Sequence, residues 1–192
     1  MGVGTKKIKS SYNNKVYKVQ EDQMYQQKAA DVMARIDTDI SRLINYLNKK
    51  YQYSQDKDKK SMIKNITKRY NKDNIFEISP VNRLNDTSYV INKTKMALCL
   101  REKDPTKTGD PNAYDIHDHN VLMFVALHEL SHMAIPDIQH TEKFWDAFHF
   151  ILYEASKGDI YHSPNYQENP VDYCGLKVDY SPLWDAKYMM QN

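Results

Sequence analysis

Seven consecutive apolar residues, Val121 to Leu127 (VLMFVAL), run straight into His128-Glu129-Leu130-Ser131-His132, and that junction limits what the chain can fold into. A segment with no polar face has to be wrapped by protein on nearly every side. It is the longest apolar run in the sequence, yet it falls far short of the roughly 20 residues that a membrane-spanning helix needs. No membrane partner is expected. The segment reads as a helix through the middle of a core, from Val121 to about Met133, with Asp118 or Asn120 as its cap and Pro136 as its stop.

Residues four apart lie on one helical face, so His128 and His132 can both offer an imidazole nitrogen to one metal ion. Glu129 sits beside the first of them, placed as a general base for an attacking water. Zinc suits such a set, because it takes nitrogen ligands tetrahedrally, has no redox chemistry and brings the pKa of water towards neutrality. A catalytic zinc also needs a third protein ligand and an open position. His140, eight residues after His132, is the first choice, since Pro136 breaks the helix between them and lets the chain turn back. Glu154, 22 residues past His132, is the competitor. Along a continuous helix it would lie about 21 Å from His140, so one ion cannot take both.

Composition narrows the rest. A hydrophobic content of 41% in 192 residues supports a real core in one domain. Two cysteines, Cys99 and Cys174, make neither a disulfide framework nor a cysteine metal knuckle, and reduced thiols in an intracellular or particle-enclosed protein are expected. No apolar stretch follows the early lysines, as a secretory signal would require. Lys6 stands where myristoylation at Gly2 would require Ser or Thr. The net charge of +2 conceals a split: residues 1–72 hold 17 Lys and Arg against 7 Asp and Glu, and residues 73–192 hold 10 against 18. The basic N-terminal region could meet nucleic acid, or it could be a solvated helical surface.

Residues 1–20 lack helical periodicity and read as a flexible basic arm. Residues 21–72 read as a helical region. Met33, Ile36, Ile40, Leu43, Ile44 and Leu47 make one face of a helix ending near Tyr51, and a charged connector, Tyr53 to Lys60, leads to a shorter helix from Ser61 to Tyr70. Residues 73–192 are the expected catalytic region. It begins with a short strand, Ile75 to Ile78, and a hairpin whose arms, Ser88 to Ile91 and Met96 to Arg101, flank Asn92-Lys93-Thr94-Lys95. A loop from Asp104 to Asp115 precedes the H-E-L-S-H helix, and a last helix runs from Thr141 to about Lys157, stopped by Gly158. The tail from Asp159 shows no strong periodicity. Tyr161, His162, Tyr166 and Tyr173 within it are candidates to stabilise an oxyanion, with Tyr173-Cys174-Gly175 the first place to look. His117 and His119 could line the cleft, form a second metal site or lie on the surface, while His149, Trp145 and Phe148 read as packing.

The run LHELSH followed by His140-Thr141-Glu142-Lys143-Phe144-Trp145 resembles the WLM family of zinc metallopeptidases, relatives of the SprT-like proteases, across about residues 88–157. The resemblance implies that His128, His132 and His140 hold Zn2+ and that Glu129 is the general base. It also implies an α+β, zincin-like metallopeptidase domain, with a small sheet from residues 75–101 and an H-E-x-x-H active-site helix beneath it. In style the chain further resembles versions encoded by large DNA viruses, which would travel in the particle. The expected function is zinc-dependent endopeptidase action on protein substrates. The rival is a non-catalytic zinc-binding structural or virion-associated protein, which would have no use for Glu129.

Overall fold

In the computed structural model, which describes residues 4–80, 87–103 and 115–189, the chain runs through β1 (Thr5–Lys9), β2 (Val16–Gln20), α1 (Gln26–Tyr51), α2 (Lys57–Arg69) and β3 (Ile75–Glu77). It continues through β4 (Tyr89–Ile91), β5 (Lys95–Leu98), α3 (His119–Ala134), α4 (Glu142–Lys157), β6 (Val171–Tyr173), β7 (Leu176–Val178) and α5 (Ala186–Met189). Five strands form one mixed sheet in the order β1-β2-β3-β5-β4, and β6 and β7 make a separate hairpin. The architecture is α+β. Most of the loop expected from Asp104 to Asp115 lies outside the described residues.

The reading of residues 1–20 as a flexible arm is corrected. β1 and β2 pair antiparallel over five residues each, and β2 joins the sheet beside β3 in parallel. The period is two, not 3.6: Tyr17 and Val19 turn inward and are fully buried. Lys18 lies on the other face and donates to the Asp73 carbonyl at 2.9 Å. Asp31 of α1 accepts from Ser10 Oγ, Ser11 N and Ser11 Oγ, each at 2.7 Å, which ties the hairpin turn to the helix. Asp37, on the buried face of α1, accepts from Tyr17 Oη (2.7 Å), Tyr70 Oη (3.0 Å) and Lys15 Nζ (3.2 Å). A carboxylate can be buried when its lone pairs are satisfied in this way, and here it joins β2, α1 and the end of α2.

A second buried charge fixes the parallel junction between β2 and β3, where only Lys18 and Phe76 pair. Glu77 and Arg101, both essentially inaccessible, meet through Arg101 Nε and Glu77 Oε1 at 2.6 Å. Gln20 N donates to Glu77 Oε2 and Gln20 Nε2 to the Glu77 carbonyl, each at 2.8 Å.

α2 begins four residues earlier than its apolar pattern suggests, because Asp56 caps it by accepting from Lys59 N at 3.0 Å. α3 carries the apolar run and packs against α1, α2 and α4, with Val121 to Leu127 buried throughout. Its last carbonyls are served by side chains of α2: Asn65 Nδ2 donates to Ala134 O at 2.8 Å and Arg69 Nη1 to Met133 O at 2.7 Å. The tail also has order that its sequence hides. β6 and β7 turn on Cys174 and Gly175, with φ of 48° and 79°, the left-handed pair that a two-residue hairpin turn needs. Among the described residues no helix is long and apolar enough to cross a membrane.

Candidate metal centre

α3 brings His128 and His132 to one face, one turn apart. The chain then leaves the helix at Ile135 and returns through a short loop held by its own side chains. Thr141 Oγ1 donates to Asp137 Oδ2 at 2.7 Å and accepts from Phe144 N at 3.4 Å, so the same residue closes the loop and caps α4. This puts His140 directly before α4, facing back at α3. His140 Nε2 lies 3.0 Å from His128 Nε2 and 3.2 Å from His132 Nε2. In tetrahedral zinc with bonds of about 2.0–2.1 Å, neighbouring ligand nitrogens sit about 3.3–3.4 Å apart, so the spacing fits such an ion with little adjustment.

The electrostatics agree with that fit. Burial, reinforced by the neighbouring rings, holds His128 down to about 3. Burial first, then His140 and Lys93, holds His132 down to about 4, and burial lowers His140 as well. At neutral pH the three rings are uncharged, and uncharged imidazoles present lone pairs to a cation. Phe144 fixes their orientation. Its fully buried ring lies 4.8, 4.3 and 4.6 Å from the rings of His128, His132 and His140. Trp145 adds a contact to His140 at 5.8 Å.

Glu129 stands on the same helix, 4% exposed, with no hydrogen-bonding partner among the described residues. Burial alone pushes its carboxyl up to about 8. It opens on a cleft of about 900 Å³ shared with the three histidines and walled by β4, the β4–β5 turn, the loop from Pro136 to His140, and β7.

Comparison with known proteins finds relatives of the chain in viruses. It is 37% identical over 177 residues to an uncharacterized protein of Acanthamoeba polyphaga mimivirus, a match covering 90% of this chain and 81% of that one. The chain belongs to the family of that mimivirus protein. Within reach of the same family are uncharacterized proteins of Invertebrate iridescent virus 6 (40% identical over 74 residues, 38% of each chain) and Invertebrate iridescent virus 3 (36% over 90 residues, 46% of this chain and 50% of that one). No family model and no solved structure matches the chain.

In this relative of the mimivirus protein the other candidate residues divide clearly. Glu154 is not near the histidines. Its buried carboxylate accepts from Lys50 Nζ at 2.7 Å and Tyr51 Oη at 2.8 Å, pinning the end of α1 to α4. Glu154→Ala should therefore lower stability by roughly 2 kcal/mol and leave metal content unchanged, as urea titration and metal analysis of one preparation would show. His117 accepts from Cys174 N at 3.1 Å and packs on Tyr173. His119 lies 3.6 Å from Asp39, and His149 stacks on Tyr188. Tyr161 donates to the Asn120 carbonyl, Tyr166 packs on Phe124, and His162 bonds Ser156 and Asp159. Of the proposed oxyanion partners only Tyr173 borders the cleft, and its proton is committed. Tyr173 Oη donates to the Cys99 carbonyl at 2.9 Å, and its partner Ser88 Oγ accepts from Cys99 N at 2.9 Å.

The expectation of reduced thiols is corrected too. Cys99 and Cys174, 75 residues apart, form a disulfide that fastens the β6–β7 turn to the chain just beyond β5. With two cysteines so far apart no spacing announces a pair; docking of the tail hairpin brings them together. Sequence reasoning also passed over Lys93, which it placed only in a polar turn and which faces the cleft.

Proposed function

We propose that the protein is a zinc-dependent peptidase of zincin-like type, akin to the WLM and SprT-like enzymes, with His128, His132 and His140 as metal ligands and Glu129 as general base. One observation carries the reading: a partner-free buried carboxylate opens on the same cleft in which three imidazole nitrogens converge. A zinc ion held there would supply Lewis-acid activation of water and of the scissile carbonyl. The chain's own residues do the rest. The histidines, locked by Phe144, present their nitrogens at fixed angles and leave one side of the cluster facing the cleft. Glu129, with a pKa raised by burial, takes a proton from the attacking water and returns it to the leaving amine.

The rival is a structural metal site without turnover. What disfavours it is Glu129 itself. A buried carboxylate with no partner is a cost that a purely structural site has no reason to keep.

Purified protein should carry about one zinc per chain. His128→Ala and His132→Ala should remove it, and His140→Ala should weaken it at least tenfold, roughly the loss of one ligand of three. Elemental analysis after exhaustive dialysis measures this directly. Wild-type protein that takes up no zinc on reconstitution would end the proposal.

A further inference from the structure

The β4–β5 turn holds a lysine where the backbone favours glycine. Asn92 and Lys93 have φ of 49° and 59°, and Thr94 N donates to Ile91 O at 3.1 Å across them. Both central residues are left-handed, as in a mirror-image type I turn, whose second position suits glycine best. What the lysine adds is reach. Its half-buried side chain crosses towards the loop that delivers His140, and its ammonium donates to the Asp137 carbonyl there. An ammonium has three donors, and this contact uses one.

The opposite wall offers a second cation. Lys177 of β7 borders the cleft, exposed, and forms no ion pair among the described residues even with Asp172, its partner across the hairpin. Among the described residues the one acid lining the cleft is Glu129, set deep beside the histidines. The rims are apolar: Ile138 is 85% exposed and Leu176 53%. Two ammonium groups and two unburied aliphatic side chains surround the candidate reacting centre, and the nearby Asp137 carboxylate is engaged by Thr141 Oγ1 at 2.7 Å.

We propose that the cleft selects peptide segments carrying an acidic side chain beside an apolar one, with Lys93 as the residue that binds the carboxylate. The inference deepens the peptidase reading and rests on it for the claim that the occupant is a peptide. Lys93 keeps its bond to Asp137 O and turns its remaining donors to the incoming carboxylate. Charge-assisted hydrogen bonds of that kind are about twice as strong as neutral ones.

The test uses zinc-loaded Glu129→Gln protein, so that bound peptide is not consumed. Two fluorescent peptides, identical except for Glu or Gln beside a Leu, are titrated by anisotropy. The Glu peptide should bind about tenfold more tightly, and added salt should narrow the gap. Lys93→Gly should fold at least as well, since glycine relieves the turn, and should bring the ratio close to one; Lys93→Arg should preserve it. Equal binding of the two peptides, no binding of either, or a preference that survives Lys93→Gly would overturn the inference. Wild-type protein assayed separately for hydrolysis keeps the two readings apart. Hydrolysis without the preference would sink only the specificity, and preference without hydrolysis would sink only the peptidase.

Discussion

Glu129→Gln is expected to bind zinc as the wild type does and to hydrolyse peptides about 10²- to 10⁴-fold more slowly, the range over which a positioned general base contributes. The substitution keeps the shape of the side chain and removes its basicity. Since Glu129 lies outside the group of three histidines, metal content should not change. A second readout separates this from a folding defect. In the metal-free protein the carboxyl's pKa is raised from 4.5 to about 8. A raised pKa contributes stability that is full below the unfolded value and is lost as pH climbs through the folded one. Metal-free wild type should therefore lose stability between about pH 5 and pH 8 from this group, and Glu129→Gln should not. A bound dication would pull the carboxyl back down, so the difference should shrink on adding zinc. A variant that cleaves as fast as wild type would remove Glu129 from the mechanism, whatever its stability profile.

How much of this was legible beforehand depended on the length of the repeating signal. In α1 the six residues read as one face, Met33, Ile36, Ile40, Leu43, Ile44 and Leu47, are all buried. α3 and α4 begin after Asp118 and Thr141 and include the segments expected, because long apolar faces and side-chain caps both survive in one sequence. The histidine pair follows from helix geometry, and Pro136 explains why a third could return to it. Of the three-residue strands, β3 and β4 fall inside the segments expected, which branched residues and flanking turn signals mark, whereas β6 and β7 are too short to show a period of two. In β1 and β2 the alternation was masked by lysines, which occupy three of five positions in the first and one in the second. The basic charge that suggested an arm belongs in part to a sheet edge, where lysine discourages pairing with other chains.

What sequence could not supply was long-range geometry. Nothing near Phe144 shows that its ring meets all three imidazoles, and nothing near Lys93 shows that its turn is left-handed. Both depend on how α4 and the β4–β5 turn come to lie around α3.

The Cys99–Cys174 bond is the other feature with a large expected effect, because it closes a loop of 75 residues. Constraining an unfolded chain over that length is worth about 4 kcal/mol in the chain-entropy picture. Reduction, or Cys174→Ser, should lower stability by about that much, read as a lower urea midpoint with a steeper slope, since the untethered unfolded chain exposes more surface. The folded state should not simply fall apart. Cys174 N still donates to His117, and Tyr173 still bonds the Cys99 carbonyl and Ser88, so the β6–β7 hairpin keeps its docking but loses its tether. Hydrogen exchange should therefore rise first at residues 171–178, before the helices respond. That hairpin supplies Tyr173, Leu176, Lys177 and Val178 to one wall of the cleft. Peptide affinity should accordingly weaken on reduction while zinc content stays at its oxidised value, since the three histidines sit on α3 and in the loop just before α4. Stability and exchange that are the same with and without reductant would mean that the bond carries no load. Loss of zinc on reduction would mean that the hairpin holds the metal ligands in place, which their positions in the fold do not suggest.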